Sequence, residues 1–545
     1  MSPTHRYLRG TLFLIHAVLC ALPVLAEMPT AEYIFPPGGQ AGQTVTGTVT
    51  GSFSNWPVQV WTSSEHLKLS PLEEKGQFEI AIADQAASGI YWWRLYDKEG
   101  ASSPRPFIVD SLPEVIEDEA NDSTKPQVVS LPAIVNGRLE KRGDVDAYQI
   151  QIEKGETLVA TVVANHYLQS PMDAVMQLCT PDGFVIQQNH DAIGLDPQIV
   201  YTADTGSDFL IRLFAFPSKP NSTIAFAGAA NYLYRLTLTT GPVVDHALPL
   251  AAAAHQETEF QLQGWNFLEP LPVVLSQSSQ REMATVSHPR AAGFFRCPVL
   301  NVPLADGASP KLAVPACVSR ELLDAGHLER LMFLASKGQK LELSVDARSF
   351  GSPLDAMLTV RKPDGAILAE ADDRKTGFTH DPQLVQTFPA DGLYSAEVKD
   401  LHDRFGRRFA YRLVIREVAA DFRLTVAEDA YVMPAAGTFD IPVAVERLEG
   451  YSEAIAITAV DLPASLEAAV VESAATGDTA KSVMLKITAK EPWSGPIRIR
   501  GRSTNDNGLE RTATFALEPH DDIASLIWLT ASAADQGEPQ ATSAP

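Results

Sequence analysis

Ser170-Pro171-Met172-Asp173-Ala174-Val175-Met176 returns 182 residues later as Ser352-Pro353-Leu354-Asp355-Ala356-Met357-Leu358. The echo extends to both sides. Lys154-Gly155 is matched by Lys337-Gly338, Pro181-Asp182-Gly183 by Pro363-Asp364-Gly365, Asp196-Pro197-Gln198 by Asp381-Pro382-Gln383, and Tyr234-Arg235-Leu236 by Tyr411-Arg412-Leu413. Spacings between these anchors drift by only a few residues, the mark of a duplicated domain with variable loops rather than a solenoid of short units. Around the anchors the chain reads as strand: 158–163 (Leu-Val-Ala-Thr-Val-Val), 341–345 (Leu-Glu-Leu-Ser-Val), 483–489 (Val-Met-Leu-Lys-Ile-Thr-Ala) and 497–500 (Ile-Arg-Ile-Arg) alternate or are rich in β-branched residues. Gly, Pro, Asn and Asp punctuate them at short intervals, and no long segment carries a capped 3.6-residue period. The pattern predicts an all-β chain of tandem β-sandwich domains.

A chain of 545 residues is too long for one hydrophobic core. Residues 1–26 read as a secretory signal peptide: Arg6 and Arg9 at the start, an apolar stretch from Leu12 to Leu25, and Val24-Leu25-Ala26 as a small-residue cleavage site before Glu27. An uncleaved membrane anchor is the alternative, against which stand the short apolar run and its His16 and Pro23. Leu19 is too bulky before Cys20 for a lipidated cysteine. A small immunoglobulin-like β module is expected over 27–111, with the aromatic strand Tyr91-Trp92-Trp93-Arg94-Leu95-Tyr96, and the first copy of the repeat over 112–242. A short module at 243–302 carries Glu259-Phe260-Gln261-Leu262-Gln263-Gly264-Trp265-Asn266, which reads like the strand and turn of the first module. The second copy follows at 303–418, so the duplicated unit is expected to be a pair of small module and larger sandwich. A final sandwich is expected over 419–529, where Pro442 in an alternating strand suits a sheet edge, and a disordered tail over 530–545.

The net charge of −24 becomes −26 without the signal, which argues against a nucleic-acid groove or an anionic membrane surface as partner and suits divalent cations. Cys179, Cys297 and Cys317 remain after cleavage. An oxidising compartment permits a disulfide, and Cys297 with Cys317 is the expected pair because both lie near one domain junction; Cys179 follows an apolar strand pattern and is expected as a buried thiol.

From residue 117 the reading becomes specific. Glu117-Asp118-Glu119-Ala120-Asn121-Asp122 is followed by Leu131-Pro132-Ala133-Ile134-Val135-Asn136-Gly137-Arg138-Leu139 and by Gly143-Asp144-Val145-Asp146-Ala147-Tyr148. This succession resembles the bacterial pre-peptidase C-terminal domain, a jelly-roll-like sandwich related to the collagen-binding domains of clostridial collagenases; the flanking modules resemble immunoglobulin or IPT/TIG-like domains. The resemblance covers 115–240 and, more loosely, 303–416, and the arrangement is similar to large secreted proteins of planctomycete-type bacteria. It implies calcium in the first copy, with Glu117, Glu119, Asn121, Asp122, Asp144 and Asp146 as candidate ligands. The chemistry agrees, because calcium takes six to eight oxygens. Alternation along an extended segment would put Glu117, Glu119 and Asn121 on one face. The plain alternative is a solvated acidic linker. The second copy has Gly326-His327-Leu328-Glu329 where the first has Gly143-Asp144-Val145-Asp146, so it is expected to keep the fold without the metal.

No catalytic constellation emerges: no His-Glu-x-x-His zinc helix, no Gly-x-Ser-x-Gly elbow, no phosphate-cradling glycine loop. The repeated Pro-Asp-Gly and Asp-Pro pairs are expected to make turns, and Asp173 and Asp355 to hydrogen-bond nearby backbone. Trp92 and Trp93 point to opposite faces of one strand and Trp265 lies at a turn; core packing is the plain reading, stacking on a sugar or a protein the alternative. The expectation is a secreted, periplasmic or cell-surface bacterial protein that is not an enzyme and that binds extracellular protein or polysaccharide. The alternatives are a structural spacer or the non-catalytic part of a secreted protease or hydrolase system.

Overall fold

The computed structural model describes residues 27–219, 225–276, 282–324, 328–373, 381–505, 508–517 and 524–532. The expected signal peptide lies outside the described residues. The all-β expectation holds: helical structure among the described residues is confined to one four-residue turn, Asn165–Leu168, and one 3-10 turn, Arg348–Phe350. Five separate cores follow one another, spanning Ala31 to Val109, Val129 to Leu238, Val244 to Cys297, Leu312 to Ile415 and Phe422 to Ala531.

The two large sandwiches share a topology. In the first, one sheet runs Glu114–Ile116, Ala133–Arg138, Leu233–Thr239, Thr157–Val163, Gln198–Thr202; the other runs Gln127–Val128, Asp146–Ile152, Ser207–Pro217, Met172–Cys179, Val185–Asn189. The second sandwich repeats nine of these ten strands, from Lys311–Leu312 to Ala410–Glu417. The missing strand is Glu114–Ile116, which leads directly into Glu117; in the second sandwich it is reduced to a single parallel bridge, Leu304 with Cys317. Pro-Asp-Gly forms the expected turn in both copies, with Gly183 and Gly365 each at φ 86°.

The small modules also match each other. Gly38–Gln40 runs parallel to Arg105–Asp110 in the first, and Ala252–Ala253 parallel to Phe295–Leu300 in the second. A methyl group at Gly51 would sit 2.0 Å from Thr30 O, and one at Gly264 2.0 Å from Val243 O. Each module thus has a glycine where a Cβ would meet a backbone carbonyl of the neighbouring segment.

The chain does not extend as a rod. Arg94 of the first module, its side chain 2% exposed, pairs with Asp429 of the last sandwich at 2.6 Å and lies over Trp528. Tyr96 packs on the same Trp528 ring, with centroids 4.8 Å apart. Trp92 and Trp93 are therefore both buried. Trp93 belongs to the module's own core; Trp265 packs at a junction, under the Arg408 guanidinium.

Three local expectations are corrected. Cys297 and Cys317 are free thiols, buried in different clusters, and burial pushes each up to about 12. Cys179 is a buried thiol as expected. The strand holding Pro442, Thr438–Leu448, is interior to its sheet, although Pro442 lies in the half that Asp421–Thr425 does not reach. The last strand, Ile527–Ser532, runs three residues into the stretch expected to be disordered; the remainder of that stretch lies outside the described residues.

Candidate metal centre and the turns beside it

Glu114–Ile116 pairs in parallel with Ala133–Arg138 and delivers Glu117 against the end of that strand, where its Oε2 accepts the Arg138 N–H at 2.6 Å. The chain then turns, with Asn121 N–H donating to Asp118 O. That turn, not strand alternation, brings Asn121 back onto Glu117, Nδ2 to Oε1 at 3.3 Å. Asn121 Oδ1 accepts the Ala147 N–H at 2.7 Å, which ties the segment to Asp146–Ile152. Asp146 completes the cluster: its carboxylate hydrogen-bonds Glu117 and accepts the Tyr234 hydroxyl at 2.6 Å, and Tyr234 in turn hydrogen-bonds Tyr148.

Glu117, Asn121 and Asp146 are all buried. Two buried carboxylates in contact cannot both stay ionised without a compensating cation. Burial holds Glu117 well above the usual carboxylate range; burial and then Glu117 itself do the same to Asp146. Asp144 stands close enough to add its charge to both. In charge and ligand type the three carboxylates suit a hard dication, whereas Asn121 turns its Nδ2 towards Glu117 and uses its Oδ1 on the Ala147 N–H. As arranged, these groups bond one another, and among the described residues no three His, Cys, Asp or Glu side chains close to ligating geometry.

The other two predicted ligands are not brought in. Glu119 is exposed and pairs with Arg138 at 3.0 Å. Asp122 is exposed and caps its own turn, accepting from Thr124 and Lys125. Tyr148 and Tyr234 were missed, although Tyr234 belongs to a repeated tripeptide. In the second copy Glu329 and Leu331 occupy the registers of Asp146 and Tyr148, and the buried Tyr411 hydroxyl has no partner among the described residues.

The repeated Asp-Pro pairs do more than start turns. Asp196, buried, accepts three backbone N–H groups, from Ala164 at 3.0 Å, Asn165 at 2.8 Å and His166 at 3.1 Å. Asp381 accepts those of Ala347 at 3.0 Å and Arg348 at 3.1 Å. Each carboxylate pins the one helical turn of its sandwich. The backbone role expected for Asp355 falls to Asp400, which accepts the N–H groups of Asp355, His402 and Arg404; the Asp355 carboxylate pairs with the side chains of Arg348 and His402.

No protein-family model matches the chain, and no curated protein matches it. Among solved structures it is similar to the pre-peptidase C-terminal domain of a collagenase from Bacillus anthracis, at 10% identity over 23% of this chain and 100% of that one, with a TM-score of 0.17. It is also similar to SGBP-B of a Bacteroides ovatus mixed-linkage glucan utilization locus, solved with a mixed-linkage heptasaccharide, at 9% identity over 71% of this chain and 74% of that one, with a TM-score of 0.15. A third is a trypsin-activated alpha-2-macroglobulin from Escherichia coli, at 10% identity over 93% and 49% of the two chains, with a TM-score of 0.15. TM-scores this low carry no argument about what the chain does.

Proposed function

We propose that the chain is a secreted, non-catalytic binding protein of the bacterial periplasm, cell surface or exterior, whose first large sandwich is braced by calcium and whose partner is an extracellular protein or polysaccharide. The observation that carries the cation is the buried contact between Glu117 and Asp146, to which Arg138 offers its backbone N–H while its guanidinium goes to Glu119 and Glu140. Glu117, Asn121, Asp144 and Asp146 would hold the ion, and the ion would supply the positive charge that lets both buried carboxylates ionise. Glu119 and Asp122 stay outside this set. A rod-like spacer is disfavoured by the contact of the last sandwich with the first module. No helix among the described residues is long and apolar enough to cross a membrane.

Calcium titration of the full chain tests the metal. A ligand at about a hundred times its Kd stabilises by roughly 2.7 kcal/mol, so millimolar calcium should raise the melting temperature by several degrees. Asp146→Asn should abolish that rise, and Glu329→Gln in the second copy should leave it intact. A wild-type melt that ignores millimolar calcium overturns the metal reading. A glycan and matrix-protein array tests the binding role: saturable hits are expected, and their absence favours a spacer.

A further inference from the structure

The duplication builds a cavity. Its volume is about 380 Å³, and it lies where the two large sandwiches meet the small module between them, with Ile108 and Asp110 of the first module also on its wall. Matched residues of the repeat line it. Arg235 and Arg412 come from equivalent strands, and His166-Tyr167 and Ser349-Phe350 come from the two turns that Asp196 and Asp381 pin. Two aromatic pairs cross the domain boundaries on its walls: Tyr167 stacks on Phe294 with centroids 5.4 Å apart, and Phe295 meets Phe350 edge-on at 6.2 Å. The cavity shares no lining residue with the acidic cluster and does not rest on the calcium reading.

Its wall carries three carboxylates and three guanidiniums. Of the three carboxylates on the wall, Asp346 pairs with Arg412 at 2.8 Å, Asp245 with Arg408 at 3.1 Å, and Asp110 accepts the N–H groups of Ser111 and Gly293. Arg235 forks onto Glu114 at 2.8 and 3.1 Å. Arg412 also donates to Leu250 O at 3.1 Å and lies over the Phe350 ring, its side chain 9% exposed. Arg296 places a third buried guanidinium on the same wall. Guanidiniums on a buried wall attract an anionic group more strongly than they would in water.

We propose that this cavity is a binding site for a small organic anion with a flat apolar body, an aromatic carboxylate or sulfonate, held between the aromatic pairs with its anionic group on the arginine side. Pockets of this size, mostly apolar with a few convergent polar groups at a domain junction, are the usual form of a small-molecule site.

The test uses 8-anilino-1-naphthalenesulfonate on the full chain, with N-phenyl-1-naphthylamine as the uncharged probe of the same ring system. Saturable binding of one sulfonate per chain is expected, at least about tenfold tighter than the amine. Thr237→Trp fills the cavity from the first sandwich and Ser349→Trp from the second; either variant that keeps the wild-type melt should lose the bound probe. In the wild-type chain the sulfonate should slow amide hydrogen exchange at 161–168, 293–296 and 346–350 together. No saturable binding, equal affinity for the two probes, binding that survives the filled cavity, or protection confined elsewhere would each overturn the proposal.

Discussion

At the residue scale the informative side chain is Asp196. Its carboxylate satisfies three backbone N–H groups that the turn Asn165–Leu168 would otherwise leave unbonded. Removing it strands those donors in a buried place, so Asp196→Ala should cost about 2–4 kcal/mol, read from urea unfolding. Burial raises its pKa to about 6 against the pull of those three donors. A folded-state value above the unfolded one means that the protonated form is the better tolerated. The stability linked to that proton is complete below about pH 4 and is lost as pH rises through about 6, an amount near 3 kcal/mol at about 1.4 kcal/mol per unit. The wild type should therefore lose about 2 kcal/mol of that stability relative to Asp196→Asn between pH 4 and pH 6.5. A difference that stays flat over this window shows that the carboxyl ionises with an ordinary pKa. The sequence displayed the aspartate twice but not its partners, because Ala164, Asn165 and His166 lie about thirty residues upstream and a three-donor contact of that range has no local signature.

At the level of elements, the strand Glu257–Trp265 shows what alternation can and cannot say. Its burial alternates from Glu257 to Leu262 as a half-buried strand should. The crowded point comes afterwards, at Gly264, with φ 155° and the Val243 carbonyl where a Cβ would go. Gly264→Ala should cost about 3 kcal/mol or more, through a backbone clash that no rotamer can relieve; the change appears as a lower urea midpoint. The likeness of this stretch to the first module was legible in its residues. The acidic segment was half legible. Its ligand types stood out, but the face they share is set by a turn at 118–121 rather than by strand period, so Glu119 and Asp122 fall outside the cluster and Asn121 falls inside it. Tyr148 and Tyr234 complete it from two strands whose pairing with that segment no spacing could announce. Pro442 follows the same lesson: its strand is interior, but the neighbour on one side stops short of it, so the missing N–H faces no acceptor.

At the scale of the whole molecule, the sequence announced domains and was silent on how they sit together, since Arg94 and Asp429 are 335 residues apart and each reads locally as a solvated charge. The junction between the second module and the second large sandwich is built of such charges. His246, buried, lies between Asp245, Nδ1 to Oδ2 at 3.0 Å, and Glu321, whose Oε1 is 3.4 Å from Nε2, an ion-pair distance without hydrogen-bond geometry. Arg408 reaches Asp245 from the sandwich side. Burial pulls the His246 pKa down, but Asp245 and Glu321 outweigh it and leave the imidazole above its ordinary value. A raised histidine pKa places the stabilising form on the acid side: the contribution is complete below about pH 6.5, the unfolded value, and is lost as pH rises through the higher folded value. The junction should therefore loosen on the alkaline side of neutrality, while the sandwiches themselves stay folded. Hydrogen exchange of the full chain at pH 6 and pH 8, corrected for the intrinsic rate, should show protection falling at 245–250 and 316–321 but not in the core strand Phe209–Leu213 region of the first sandwich. His246→Gln should remove the difference between the two pH values, and Glu321→Gln should move the transition to lower pH. If the protection at 245–250 and 316–321 is the same at both pH values in the wild type, the imidazole does not carry the charge that binds module to sandwich.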